Sequence, residues 1–314
     1  MPTIAVIIPC YRVKKHILSV IKGIGPEVKT IYLVDDCCPE ESGRYVEQQK
    51  IDARIIFLKN EKNLGVGGAV MVGYSQALVD SIDIIIKVDG DGQMDPALIS
   101  VLIKPIVDGV ADYTKGNRFY NLDQLRTMPK IRIFGNAILS LINKITSGYW
   151  NIFDPTNGFT AIHRKALSLL PLDLISKRYF FETDMLFRLN TIKAVVEDVP
   201  MNSFYGNEIS GIKIFNTIFE FSYKHLVNLS KRIFYNYFLR DMSIASFELP
   251  IGISMLIFGI IYGLKNWFFN SSGIPATAGT VMLSATMIIV GTQFILAFLS
   301  YDIGSVPNKS LQSR

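Results

Sequence analysis

A chain of 314 residues is long enough for one large domain or two small ones. Its formal charge of +5 is too mild to argue for nucleic acid as a partner, and it carries no zinc-finger or RNA-binding signature. Hydrophobic residues make up 49% of it and the mean hydropathy is +0.30, more than a wholly soluble enzyme needs.

The elements follow in chain order. MPTIAVIIPCYR has no basic leader and reads as a first strand, Ile4–Ile8 ending at Pro9, rather than a signal peptide. The spacing predicts a helix over Ile17–Ile24, a strand over Thr30–Val34 that stops at Asp35-Asp36, and a helix over Ser42–Gln49. A third strand is expected at Ala53–Leu58. The glycine-rich turn NLGVGGA then opens a helix from about Ala69 to Val79, and Ile82–Val88 is the fourth strand. Alternating strands and helices predict an α/β fold with a mostly parallel, Rossmann-like sheet, whose sites lie at the carboxyl ends of strands. Tyr113–Gly116 is a further strand, Ile131–Ser147 a helix, DPTNGFTAIHR a turn with a short strand, Asp184–Leu189 a short helix and Ala194–Val199 a last strand. The cysteines, Cys10, Cys37 and Cys38, are odd in number and two are adjacent, which argues against a disulfide framework and for reduced thiols.

The C-terminal third has another character. Ile212–Arg240 sets aromatic and aliphatic residues at helical spacing, with Lys213, Lys224, Lys231, Arg232 and Arg240 interleaved. This is the pattern of helices lying in a membrane interface, or of an amphipathic helix packed on a core. Leu249–Leu264, extended through Trp267-Phe268-Phe269, and Ala278–Ser300 are each apolar enough to span a bilayer; a buried helical hairpin is the alternative. Basic residues on the shared side place the N-terminal part and both termini in the cytoplasm, making an integral protein of the plasma membrane. The expected organisation is a catalytic domain over 1–210, juxtamembrane helices over 211–245, two transmembrane helices over 246–302 and a tail over 303–314. The helices also offer surfaces for a homo-oligomer.

Three strand ends carry the chemistry. At DIIIKVDGDGQMDP, Asp89, Asp91 and Gln93 fall on alternate positions, which project the same way if the backbone stays extended. They form either a capped turn or a site for a hard cation, which takes oxygen ligands and offsets their repulsion. Asp95, followed by Pro96, is suited to capping the next helix. Of Asp35 and Asp36, one is expected to cap a helix and the other to accept hydrogen bonds from a nucleoside. Tyr11 could pack on a base or in the core.

IAVIIPCYR, LVDDCCPE, NEKNLGVGGAVMVGY, VDGDGQMDP and KGNRF, in that order, resemble the family 2 glycosyltransferases of the GT-A fold over about residues 3–210. The resemblance implies that Pro9, Tyr11, Val34 and Asp36 hold the nucleotide of a nucleotide-sugar, with Gly90 and Arg118 also at the donor. It implies that Asp89, Asp91 and Gln93 hold Mg2+ or Mn2+ and the diphosphate. MPKIRIFGNAILSLINKITSGY, DPTNGF and FFETD resemble the polyprenyl-phosphate sugar transferases, dolichol-phosphate mannose synthases among them. This implies a polyprenyl phosphate acceptor, with Arg118 and Arg132 suited to its phosphate or else engaged in surface ion pairs. Glu182 and Asp184 would then be positioning groups, and the reaction a metal-dependent, inverting transfer giving a lipid-linked monosaccharide. Tyr11-Arg12-Val13 stands where many relatives have Tyr-Asn-Glu, and Ser203 where mannose synthases carry an Arg; both departures favour a UDP-sugar. A glycolipid or glycan acceptor, or a non-catalytic nucleotide-sugar-binding membrane protein, are the alternatives.

Overall fold

The computed structural model describes residues 2–120, 130–201, 214–268 and 275–314, without the side chains of 131–132 and 214–218. Seven strands form one sheet: β1 (Ile4–Cys10), β2 (Thr30–Asp35), β3 (Ile55–Lys59), β4 (Ile84–Lys87), β5 (Tyr113–Asn117), β6 (Thr160–His163) and β7 (Val196–Pro200). Their order is β3-β2-β1-β4-β6-β5-β7. All pairs are parallel except those of β6, which runs antiparallel to both β4 and β5. The GT-A expectation of a mostly parallel sheet therefore holds, with one reversed strand inserted beside β4.

Alternation along β1 sorts its side chains onto two faces. Ile4, Val6, Ile8 and Cys10 point into a core shared with α1 (Ile17–Gly23) and with α4 (Ile99–Val107). Ile7 points the other way, onto α3 (Val66–Val79), where Gly73 is so close that a Cβ would lie 2.7 Å from the Ile7 side chain. Both faces of the central strands are thus covered, and each fully buried aliphatic side chain contributes about 1.5–3 kcal/mol. α2 (Ser42–Gln49) lies where the spacing put it. The register pairs Ile7 with Lys87 and Cys10 with Asp35, so the chain leaves β1, β2 and β4 at the same edge.

Past β4 the backbone is a turn, not the extended run that alternate projection required: Gly92 has φ +79°. Asp95 accepts from the Ala97 N–H at 3.0 Å, capping a short 3-10 turn that begins at Pro96 and leads into α4. Beyond β5 lie α5 (Lys130–Ser147), α6 (Arg164–Ser168) and α7 (Phe181–Thr191). α8 (Ile214–Phe234) continues as one turn of π-helix, Tyr235–Arg240.

The chain divides into two compact units. One comprises Met1–Leu229 with Pro307–Arg314, the other Ser230–Val306. In the first, the tail is docked by its backbone. The buried Asp112 carboxylate accepts from Leu311 N–H (2.8 Å to Oδ1) and from Val195 N–H (2.8 Å to Oδ2), while Gln312 Nε2 donates to the Ala111 carbonyl at 2.8 Å. In the second unit, α9 (Ala245–Phe268) and α10 (Ala278–Gly304), of 24 and 27 residues, are long and apolar enough to cross a membrane. They meet through small residues: Gly252 against the Gly291 carbonyl, and Ser284 Oγ donating to the Gly259 carbonyl at 2.8 Å. Arg232, expected to face lipid headgroups, is instead buried. Its guanidinium binds Asp302 through both nitrogens, at 2.6 and 3.1 Å, and Tyr237 OH adds a third bond at 2.5 Å. A carboxylate near the end of an apolar helix needs such a partner more than a solvated headgroup does.

Asp112→Ala would strand the buried N–H groups of Val195 and Leu311. Unfolding in detergent should show a loss of about 2–4 kcal/mol, and deletion of residues 310–314 should reproduce much of it.

Candidate active site

At the edge where β1, β2 and β4 end, a cavity of about 460 Å³ opens. Pro9 to Val13, Asp36, Asn63, Gly65, Asp89, Gly90, Asp91, Arg178 and Tyr179 are among the residues that line it. Tyr11 is 42% exposed, which decides against core packing. Arg12 adopts φ 58°, held by its N–H against Cys38 Sγ at 3.1 Å, and its guanidinium sits 5.4 Å from the Tyr11 ring centre.

The two aspartates after β2 divide their labour. Asp35 accepts from the Cys38 and Gly43 N–H groups, both at 2.9 Å, and so fixes the entry to α2. Asp36 accepts from Asn60 Nδ2, Leu64 N–H and Gly65 N–H, each at 2.8 Å, and shapes the NLG turn that helps line the cavity. Gly65 has φ +85°, and a Cβ there would lie 2.6 Å from the Lys177 carbonyl. The glycines of NLGVGGA therefore seat the backbone of 176–178 against the first turn of α3.

Asp91 Oδ1 accepts from Gln93 N–H at 3.0 Å, while Gln93 itself is not in the cavity lining. Asp89 faces the cavity on one side and a buried ammonium on the other: Lys87 Nζ is 2.8 Å from Asp89 Oδ1 and 3.3 Å from Glu182 Oε1. Burial alone would push Lys87 down, but Asp89 and Glu182 outweigh it and hold the ammonium above the ordinary lysine range. A second buried lysine, Lys115, donates to the Asn157 carbonyl; burial pushes it down to about 8. Asp198, whose Oδ2 accepts from Phe153 N–H and Asn117 Nδ2, both at 2.9 Å, is pushed up by burial to about 6. Two carboxylates in one cavity are the hard oxygen donors that Mg2+ or Mn2+ takes, with ligand phosphates completing the shell. Among the described residues no group of three or more His, Cys, Asp or Glu is arranged for a metal, so the residues fit such a shared shell rather than an all-protein cage.

Of the other expected site residues, Val34, Arg118, Glu182 and Asp184 are not among the described residues that line the cavity. Val34 is fully buried in β2. Arg118 gives Nε and Nη2 to the two oxygens of Asp154, at 2.7 and 2.9 Å, so that edge of its guanidinium braces the DPTNGF turn. Asp184 is buried and accepts from Ser176 N–H (2.8 Å), Arg188 Nε (3.2 Å) and Asn228 Nδ2 (3.0 Å), tying α7 to α8. Glu182 is near the cavity only through Lys87. The Arg132 side chain, Ser203 and Lys213 lie outside the described residues. Lys87, Asn63, Arg178 and Tyr179 went unread in the sequence. Lys87 had a signal: a lone charge within Ile84–Val88 has to be paired once that strand is buried.

The family model described as glycosyl transferase family 2 matches residues 5–170. The UDP-N-acetylglucosamine–dolichyl-phosphate N-acetylglucosaminyltransferase of Methanococcus voltae is 29% identical over 234 residues, covering 68% of this chain and 93% of that one. The undecaprenyl-phosphate mannosyltransferase of Micrococcus luteus is 27% identical over 213 residues, covering 66% and 86%. Among solved structures, glucosyl-3-phosphoglycerate synthase from Mycobacterium tuberculosis, in complex with Mn2+, UDP and phosphoglyceric acid, superposes with a TM-score of 0.53. It is 18% identical, covers 74% of this chain and 78% of its own, and shares the fold.

Gly158 should be irreplaceable, because a Cβ would collide with Lys87 Nζ and lie 2.5 Å from Asp89 Oδ2. Gly158→Ala is expected to lower the unfolding free energy by about 1–3 kcal/mol. Gly135→Ala, where α5 leaves open space, should be neutral or stabilising by up to about 1 kcal/mol in the same melts.

Proposed function

This chain belongs to glycosyl transferase family 2, and from that premise we propose that it moves one sugar from a UDP-sugar to a polyprenyl phosphate at the cytoplasmic face of a membrane. The observation that carries the reading is the cavity itself, whose lining brings an exposed tyrosine, the Asp36-held turn and the Asp89 and Asp91 carboxylates to one space of about 460 Å³. The named relatives act on dolichyl and undecaprenyl phosphates, and one of them is named for a UDP-sugar.

In this reading Tyr11 stacks on the base, while Asn63 and the turn at Gly65 bound the nucleoside. Asp89 and Asp91, with Gln93 beside them, would hold Mg2+ or Mn2+, which when bound stabilises negative charge on the departing diphosphate. Arg12 and Arg178, both lining the cavity, offer guanidinium forks to the phosphate oxygens. An acceptor phosphate oxygen attacks the anomeric carbon, forming the new C–O bond as the bond to the nucleotide diphosphate breaks with its electrons. One displacement inverts the centre. A phosphate dianion needs no proton removed, so Glu182 and Asp184 serve as positioning groups rather than as a base. Arg118 acts by bracing Asp154 and thereby the turn that carries Gly158.

Membrane attachment follows from two features beside the apolar helices. The catalytic unit exposes Phe134, Ile138, Leu141 and Ile145 along α5, and Phe219, Tyr223 and Leu226 along α8, each set at helical spacing. Such stripes suit a headgroup interface better than water. In this reading the chain crosses the membrane twice between Leu229 and Pro307, which belong to one compact unit. Two spans put both ends on one side, and the flanking basic residues make that side cytoplasmic.

Asp91→Ala is expected to cut sugar transfer to undecaprenyl phosphate by at least about 100-fold while leaving the melting profile intact. A chelator should do the same reversibly. A donor screen with purified protein, read by mass of the lipid product, checks both; full activity in either case would sink the metal assignment.

A further inference from the structure

Lys87 stands on β4 two residues before Asp89, with its side chain fully buried. Its neighbours in the chain are Ile86 and Val88, so nothing in the strand itself requires a charge there. The ammonium has three oxygen partners from three separate segments: Asp89 Oδ1 at 2.8 Å, Glu182 Oε1 of α7 at 3.3 Å, and the Gly158 carbonyl at 3.3 Å. The Phe181 ring lies below it, 6.0 Å to the ring centre, and Gly158 leaves no space for a side chain. The lysine thus has one place to put its charge. Of its partners, only Asp89 lines the cavity, with 27% of its side chain exposed against 11% for Glu182.

We propose that Lys87 is a positioning residue for the donor: its ammonium fixes the Asp89 carboxylate at the cavity wall, and Glu182 anchors that ammonium from behind. The proposal rests on the nucleotide-sugar reading above. Two consequences make the arrangement useful. Asp89 cannot swing away from the wall, because its counter-charge is immobile. Lys87 also offsets one of the two negative charges that Asp89 and Glu182 bring together, leaving the three groups a formal −1. Glu182 acts through Lys87 and needs no contact with substrate.

The test is titration calorimetry on the full chain in detergent, with UDP plus Mn2+ as probe and GDP plus Mn2+ in parallel. Lys87→Met leaves two carboxylates facing each other and is expected to lower the melting temperature. Lys87→Met combined with Glu182→Gln removes that repulsion and should melt close to the parent. The double variant should nonetheless bind the nucleotide–Mn2+ probe about 10–100-fold more weakly, with the donor KM rising by a like factor and the acceptor KM unchanged. Glu182→Gln alone, which keeps the Lys87–Asp89 pair but loses the anchor behind it, should weaken binding less than the double variant does. A folded double variant that binds as the parent does overturns the role of Lys87 while leaving the donor reading in place. A parent that binds neither nucleotide overturns the donor reading and this proposal with it.

Discussion

The constraint on which the rest of the site depends is the burial of charge at the end of β4. Ile84, Ile85 and Ile86 are buried on both faces, and their pairing with β1 and β6 leaves no freedom in where Asp89 emerges. A carboxylate delivered there needs a partner that is equally fixed. At 2.8 Å the gross attraction between Lys87 and Asp89 is about 6 kcal/mol at an effective dielectric of 20, and desolvation costs several kcal/mol per ion. The two nearly cancel. The pair therefore adds little net stability; what it adds is geometry, because Lys87 is held in place by Glu182 and the Gly158 carbonyl as well as by Asp89. Gly158 and the first turn of α7 are shaped around that pair, which is why DPTNGF and FFETD, far apart in sequence, meet beneath the cavity.

The same economy recurs in the other acidic residues of the catalytic unit. Asp35, Asp36, Asp112 and Asp184 are all buried; Asp35 accepts from the N–H groups at the start of α2, and the other three from segments remote in sequence. A buried carboxylate with two or three such donors is cheaper than an unpaired one and rigidifies the loops it binds. Asp36 is the case that matters for ligand binding. With three hydrogen bonds to the turn at 60–65, its main work is to hold that part of the cavity lining, and any bond to a nucleoside comes from lone pairs left over. Asp154 does the same for Arg118, so two residues that read as ligands in the sequence are also part of the frame around the ligand.

Strand and helix positions were legible because period and turn chemistry agreed: β1, α1, β2 and α2 fall within two residues of where spacing put them. The reversal of β6 was not, since a four-residue strand carries no mark of direction. Nor was the turn after β4. Alternate carboxylates suggested an extended backbone, but Gly92 at positive φ redirects the chain and takes Gln93 out of the lining. The acidic strand ends could be read as a site, whereas which acid faces the ligand depended on partners from distant loops. Asp184 illustrates the limit, for nothing local distinguishes it from Glu182, yet Ser176, Arg188 and Asn228 claim it. Arg232 illustrates it in the apolar unit, where a residue that reads as a headgroup contact belongs to Asp302, seventy positions away.

A lipid-linked acceptor fixes the depth of its own reactive phosphate, so an enzyme for it has to be fixed in depth as well. Here the chain enters the apolar unit through a continuous helix, α8 running into a turn of π-helix, and comes back through residues 307–314, which dock on Asp112. Within the apolar unit, Arg232 and Tyr237 are bonded to Asp302, so the segment that enters the hairpin is locked to the helix that leaves it. Each bond set lies within one unit: Asp112 is satisfied inside the catalytic unit and Asp302 inside the apolar one, both buried carboxylates whose partners come from segments remote in sequence.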